Sequence, residues 1–299
     1  MKSIRYIIIL AALALLPLSC RKGSPIPEES IITVPAQHET DFDKWLMSNF
    51  VNPYNIQFKY RYENNETDLN YYSVPTDYQS CIKMAHLVKY ICLDSYDEVA
   101  GVQFTRKYFP KQFFLMGEWQ YKNNGSFTLG TAEGGKKIIL MGINYLERYS
   151  KTVEDLNHYY LKTIHHEFTH ILNQTKDFPV TFSQVSGGTD NGYVTDDWTS
   201  DTYNDYLERG FISAYAQSED REDFAETMAL FVTNPQSWWD GQIAKAGDGG
   251  ARINKKLDIV MEYMQDTFGV DLAELRSVVL RRQDEVMAGL VDLYSVVIE

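Results

Sequence analysis

The first apolar run, Tyr6 to Leu16, is unbroken and follows the short positive start Met1-Lys2-Ser3-Ile4-Arg5. This is the layout of a secretory leader, and the run is short for a membrane span. After a polar, Pro-containing stretch over residues 21–38 the pattern turns helical. Phe42, Trp45, Leu46 and Phe50 share one side of a helix starting near Thr40, which Asn52-Pro53 is predicted to stop. Ile56, Phe58, Tyr60 and Tyr62 alternate with polar residues, the period of a strand. Asp77 to Val99 reads as a long amphipathic helix carrying Ile82, Ala85, Cys92 and Tyr96 near helical spacing. Gln112 to Met116, Ser126 to Leu129 and Lys137 to Met141 read as strands, punctuated by Asn123-Asn124-Gly125 and Gly134-Gly135. A helix is predicted from Thr152 to Asn173, then a loop-rich region with a Gly-rich stretch at 186–192, and three or four helices from about Arg221. Strands in the first half and helices in the second predict an α+β fold. Its N-terminal lobe, about residues 39–175, holds a small mixed sheet with helices, and its C-terminal lobe, about 176–299, is mostly helical.

Composition narrows the picture. A chain of 299 residues with 44% hydrophobic and 23% charged residues is ordinary for a globular protein with one catalytic domain. A net charge of −13 and the lack of a basic stripe exclude nucleic acid as the partner. The 21 Tyr suit either a recognition surface or half-buried strands. The leader ends Leu16-Pro17-Leu18-Ser19-Cys20, and a small residue directly before a Cys resembles a bacterial lipobox. Residues 1–19 are then a signal peptide, Cys20 the lipidated first residue of the mature chain, and 20–38 a tether. Pro17 departs from the commonest pattern, so ordinary cleavage or an uncut anchor are the alternatives. Cleavage there removes Lys2 and Arg5 and no acid, leaving a mature charge of −15. Cys81 and Cys92 lie on one predicted helix, ~16 Å apart along its axis. That exceeds the ~7 Å a disulfide allows, so buried free thiols are expected.

The chemistry centres on His166-Glu167-Phe168-Thr169-His170. Two His at i and i+4 share a helical face and suit one tetrahedral zinc ion, while the Glu beside the first is placed to act as general base on water. Turning each residue through 100° puts Val153, Leu156, Tyr160, Ile164, Phe168 and Ile171 on an apolar stripe nearly opposite His166 and His170. His165, His158, His38 and His86 are packing or surface residues on the same reasoning. A third ligand is needed. The candidates are Glu222 and Glu226, one turn apart in Glu222-Asp223-Phe224-Ala225-Glu226, with Asp190 and Asp196 as rivals. Ala225 and Ala229 beside them allow close approach to the motif helix, although acidic residues also suit any helix start.

The motif, followed by Tyr215 and Glu222 seven residues later, resembles the zincin branch that includes anthrax toxin lethal factor. That branch carries a Glu-Phe-Phe-Ala-Glu-type helix after its His-Glu-x-x-His. The resemblance implies Glu222 as third zinc ligand, Tyr215 as the residue stabilising the oxyanion and Glu226 as a residue behind the ligands, holding a His ring. Asp223 stands where the branch has Phe, which weakens the packing expected there. A likeness over most of the mature chain rests on the lipobox, the Pro-rich tether, Asn52-Pro53-Tyr54-Asn55-Ile56 and His165-His166-Glu167-Phe168-Thr169-His170-Ile171-Leu172. Together these resemble the substrate import-associated zinc metallohydrolase lipoproteins. That likeness implies a zincin-like fold with zinc in the cleft between lobes, an outer-membrane lipoprotein of a Gram-negative bacterium, and an import complex as neighbour.

The expected function is hydrolysis of peptide or glycopeptide amide bonds by zinc and Glu167, with the strand Lys137 to Met141 as the cleft edge that receives an extended substrate. Two rivals stay open: a non-catalytic lipoprotein that holds a glycan or peptide for import, and an amidase acting on cell-wall or glycan-linked amides. The 186–192 stretch is either a lid or a plain surface loop.

Overall fold

The computed structural model describes residues 39–298, apart from 69, 123, 124, 126, 134 and 187–191. The leader, Cys20, the tether, His38, Asp190 and most of the Gly-rich stretch therefore lie outside the described residues. No helix among those described is long and apolar enough to cross a membrane.

Helix α1 runs over 41–54, in segments Asp41–Leu46, Met47–Val51 and Asn52–Tyr54, the middle one widened to π geometry. Thr40 and Asp43 cap it reciprocally: Thr40 Oγ1 accepts from the Asp43 N–H at 3.2 Å and Asp43 Oδ2 from the Thr40 N–H at 2.7 Å. Arg61 adds two charge-assisted bonds to the same carboxylate, at 2.8 and 2.6 Å. Burial would raise the Asp43 carboxyl, but these bonds outweigh it and hold the group well below the usual carboxylate range. Asp43→Ala is expected to cost about 1–2 kcal/mol, read as a lower thermal midpoint in circular dichroism.

Asn52-Pro53 does not stop α1. The widened turn sends the Asn52 N–H back to Met47 O, and Pro53 sits in the next turn, where its fixed φ suits a helix. The stop is Asn55, in the left-handed conformation at φ 55°.

Strand β1 (Gln57–Lys59) is followed by helix α2 over 78–100, capped by Asp77 and widened at Val88–Leu93. Cys81 and Cys92 are both buried on it as free thiols. Helix α3 (Val102–Tyr108), β2 (Gln112–Leu115), β3 (Gln120–Tyr121), β4 (Phe127–Thr128), β5 (Gly130–Glu133) and β6 (Lys137–Leu140) follow. Strands β3 and β4 form a small hairpin. The main sheet has the order β1-β2-β6-β5, the first three parallel and β5 antiparallel to β6. The sheet is therefore small and mixed, as the pattern implied.

Its two faces are both covered. Phe113, Leu115, Ile138 and Leu140 join the larger core, while Phe114, Met116, Ile139 and Met141 meet Trp119 in a second cluster. Tyr145 stacks on Trp119 at 4.4 Å, and Tyr149 and Tyr159 crowd around it. Much of the tyrosine here serves packing.

One expectation fails on this topology. The strand Lys137–Leu140 is not an edge, because β2 and β5 flank it on both sides. The edge on this side is β5, whose short Gly-containing sequence carries little strand signal. It packs against the motif helix so tightly that a Cβ on Gly130 would lie 2.6 Å from Thr163 Cγ2.

That motif helix, α4, covers 153–175, with a π-type segment at Asn157–Leu161 directly before Lys162–Thr175. The extra residue per widened turn means that a constant 100° step holds within 162–175 but not across 157–161. Val153, at the helix start, is only half-buried, whereas Leu156, Tyr160, Ile164 and Phe168 are fully buried. The second half continues with α5 (Val180–Ser186), α6 (Asp220–Thr233), α7 (Gln236–Ala246), α8 (Gly250–Phe268) and α9 (Leu272–Met287). From Thr40 onward the chain is one compact unit, and its larger core draws on both halves of the sequence.

Candidate metal centre

Helical spacing puts His166 and His170 on one face of α4, with their Nε2 atoms 3.1 Å apart. Helix α6 packs across that face, its fully buried Ala225 and Ala229 permitting close approach. Its first turn delivers Glu222, whose Oε2 lies 2.9 Å from His166 Nε2 and 3.3 Å from His170 Nε2. Among the described residues these three form a group able to hold a metal ion, all ligand atoms lying within 4.8 Å.

The group suits zinc. Tetrahedral zinc with ligand bonds of ~2.0–2.1 Å needs donor atoms roughly 3.3 Å apart, close to the triangle observed. Two imidazole nitrogens aimed at one point share at most one proton between them, whereas a cation satisfies both. Burial would make His166 harder to protonate, but Glu222 and Glu226 outweigh it and raise this histidine to about 9 in the metal-free protein. Glu222 moves the opposite way: burial alone would raise it, yet His166 and His170 hold it well below the carboxylate range, ready as an anionic ligand.

Glu226 stands behind the donors. It is 1% exposed, accepts from Lys162 Nζ at 2.8 Å and from Ser213 Oγ at 2.7 Å, and lies 2.9 Å from His166 Nδ1. Glu226 is thus the near acceptor of His166 Nδ1. A proton on Nδ1 points Nε2 at a metal, and Glu226 is the acceptor placed to favour that tautomer. Against the penalty of burial, Lys162 and His166 keep Glu226 ionised. Sequence reading missed Lys162, although it lies one turn before His166 on the same face. Ser213 had no local signal.

Glu167 is largely buried, and its charge acts on both His166 and the Tyr215 hydroxyl. Tyr215 opens a short helical turn, Tyr215–Gln217, with its ring 5.9 Å from the His166 ring. Burial and the Glu222 charge raise its phenol well above the ordinary range, so its hydroxyl keeps the proton and remains a donor.

Asp223 does not loosen the packing as expected of an acid in place of Phe. It is fully buried and ion-paired at 2.5 Å with Lys256 on α8, also buried, and accepts from the Tyr193 hydroxyl at 3.0 Å. Lys256 also donates to Gly210 O at 2.9 Å. Burial outweighs the lysine and raises Asp223 to about 6, and it lowers Lys256 likewise. The pair ties the ligand-bearing turn of α6 to α8. A residue 33 positions downstream supplies the partner, so no local pattern announces it.

Other candidates stay apart. His165 is fully buried against Tyr96, its Nδ1 3.0 Å from the hydroxyl, and burial lowers it to about 4. His158 lies edge-on to Tyr159, and His86 Nε2 is 3.0 Å from Ser295 O. Asp196 is exposed on a turn outside the group.

Fold and site define a class: a mixed α+β protein with a His–His–carboxylate centre suited to a metal ion. Residues 35–273 match the family described as "Putative zinc-binding metallo-peptidase". The chain belongs to that family. It is also similar to a solved structure titled as a "putative zinc-binding metallo-peptidase from Bacteroides caccae ATCC 43185", at 40% identity and TM-score 0.74. That match covers 90% of this chain and all of the other. A search of the curated proteins finds no match.

Proposed function

We propose that this chain hydrolyses peptide or glycopeptide amide bonds with a single zinc ion held by His166, His170 and Glu222. The observation that carries the reading is the triangle of 2.9, 3.1 and 3.3 Å between the three donors. When bound, zinc supplies Lewis acidity, polarising a carbonyl and making water easier to deprotonate. Glu167 is the general base: it takes a proton from the attacking water and passes it to the leaving amine. Tyr215, kept protonated, donates to the oxygen on which charge develops. Glu226, held by Lys162 and Ser213, fixes the His166 ring. Both the Tyr215–Glu222 spacing and the aromatic contact to His166 support a motif relationship to the lethal-factor branch. The sheet edge beside α4 is β5, which offers an extended peptide a strand to pair with.

The leader and Cys20 support a lipid anchor on the outer membrane of a Gram-negative bacterium, and an import complex as neighbour. The tether then lets the domain reach polymers beside that complex.

Purified protein is expected to bind one zinc per chain, and Glu222→Ala to lose at least tenfold in zinc affinity. Competition against a chromogenic chelator reads both. Unchanged affinity in the variant removes Glu222 from the site.

A further inference from the structure

A segment that the catalytic scheme does not use is fastened beside it. The Val194 N–H donates to Gln217 O at 2.8 Å and the Thr195 N–H to Ser218 O at 3.0 Å, joining this segment to the turn that carries Tyr215. Farther along, the Gln217 amide donates to Tyr203 O at 3.0 Å. Ser218 Oγ closes the Tyr215 turn through a 2.7 Å bond to Tyr215 O. Between these anchors Thr195 takes φ 53°, a left-handed conformation costly for a β-branched residue. Thr195 is exposed, so core packing does not force that conformation. Three residues on, Trp198 meets the Tyr215 ring edge to face, with centroids 5.1 Å apart at 67°. Tyr215 in turn lies 5.9 Å from the His166 ring. Trp198 is only half-buried, so indole surface stays accessible two ring contacts from the metal donors.

Resting on the hydrolase reading above, we infer that Trp198 forms the wall of a substrate subsite and selects a bulky apolar side chain, aromatic above all, next to the bond being cleaved. The chemistry of the indole favours an apolar occupant. The wall is a π surface that gains from edge-to-face and offset contacts. Asp196 and Asp197 precede Trp198 on the same turn and are exposed to solvent, so the half-buried indole is the apolar part of this wall. The fastening at Val194 and Thr195 keeps the indole in place, so ordering it costs the substrate little.

The test uses the zinc-loaded chain and two chelating probes, acetohydroxamate and 3-phenylpropanohydroxamate, which adds a benzyl group to the same chelator. The parent is expected to bind the second at least about tenfold more tightly. Trp198→Ala should shrink that preference to below about threefold while leaving acetohydroxamate affinity unchanged, and Trp198→Phe should keep most of it. A full preference retained in Trp198→Ala overturns the inference. Equal losses for both probes also overturn it, because Trp198 would then only support Tyr215. If acetohydroxamate fails to bind the parent, the metal-centre reading falls and this inference with it. Thermal midpoints of both variants show whether folding is intact.

Discussion

Glu167→Gln is expected to bind zinc as tightly as the parent and to hydrolyse amide substrates about a thousandfold more slowly. The substitution keeps size and shape but removes the carboxylate that accepts the proton from water. General bases contribute roughly 10²–10⁴ in rate. Zinc affinity should hold because Glu167 is not among the three donors that converge. The decisive comparison is a cleavage-site screen of peptides and glycopeptides exposed to parent and variant, with zinc content measured on both. Equal cleavage by the two would remove Glu167 from catalysis. No cleavage by either, with zinc bound, would favour a lipoprotein that holds its ligand without cutting it.

Lys256→Met should bring a large loss of stability from a single change outside the metal donors. Lys256 and Asp223 are 1% and 0% exposed, and the variant leaves the aspartate buried without its cation. Breaking a buried pair in this way costs about 3–5 kcal/mol. For a domain of this size that lowers the thermal midpoint by about 10 °C. The double variant Lys256→Met, Asp223→Leu should recover most of the loss, since the price of a buried pair is the desolvation of both charges. Thermal unfolding followed by circular dichroism distinguishes these outcomes. A single variant as stable as the parent would mean that the pair contributes nothing to holding α6. Zinc affinity should fall with stability in the single variant, because Asp223 neighbours Glu222 on the same turn.

How far the sequence carried the reading depends on the range of each interaction. The His166–His170 pair was legible because a helix repeats every 3.6 residues, and that local geometry holds within Lys162–Thr175. The strands with strong β patterns were legible too, whereas β5 was not: Gly-Thr-Ala-Glu carries little strand propensity. Its place at the sheet edge follows from pairing with β6, so the sequence pattern points to the neighbouring strand as the edge. The end of α1 is hidden from the sequence pattern for a similar reason, since a widened turn accommodates Pro53 without breaking the helix.

The His-Glu-x-x-His helix, which carries the zinc chemistry, is complete in the sequence because all its members lie within two turns. Spacing alone left the third ligand open among Glu222, Glu226, Asp190 and Asp196, and only a family likeness singled out Glu222. Tertiary packing of α6 on α4 brought Glu222 to the two histidines and set Glu226 behind them. It also supplied Lys162 and Ser213 to Glu226, Lys256 to Asp223, and Trp198 to Tyr215. Such contacts join residues far apart in the chain, so a helical or strand period cannot announce them. They are decided by which buried faces close on each other and by the cost of leaving a charge unpaired there.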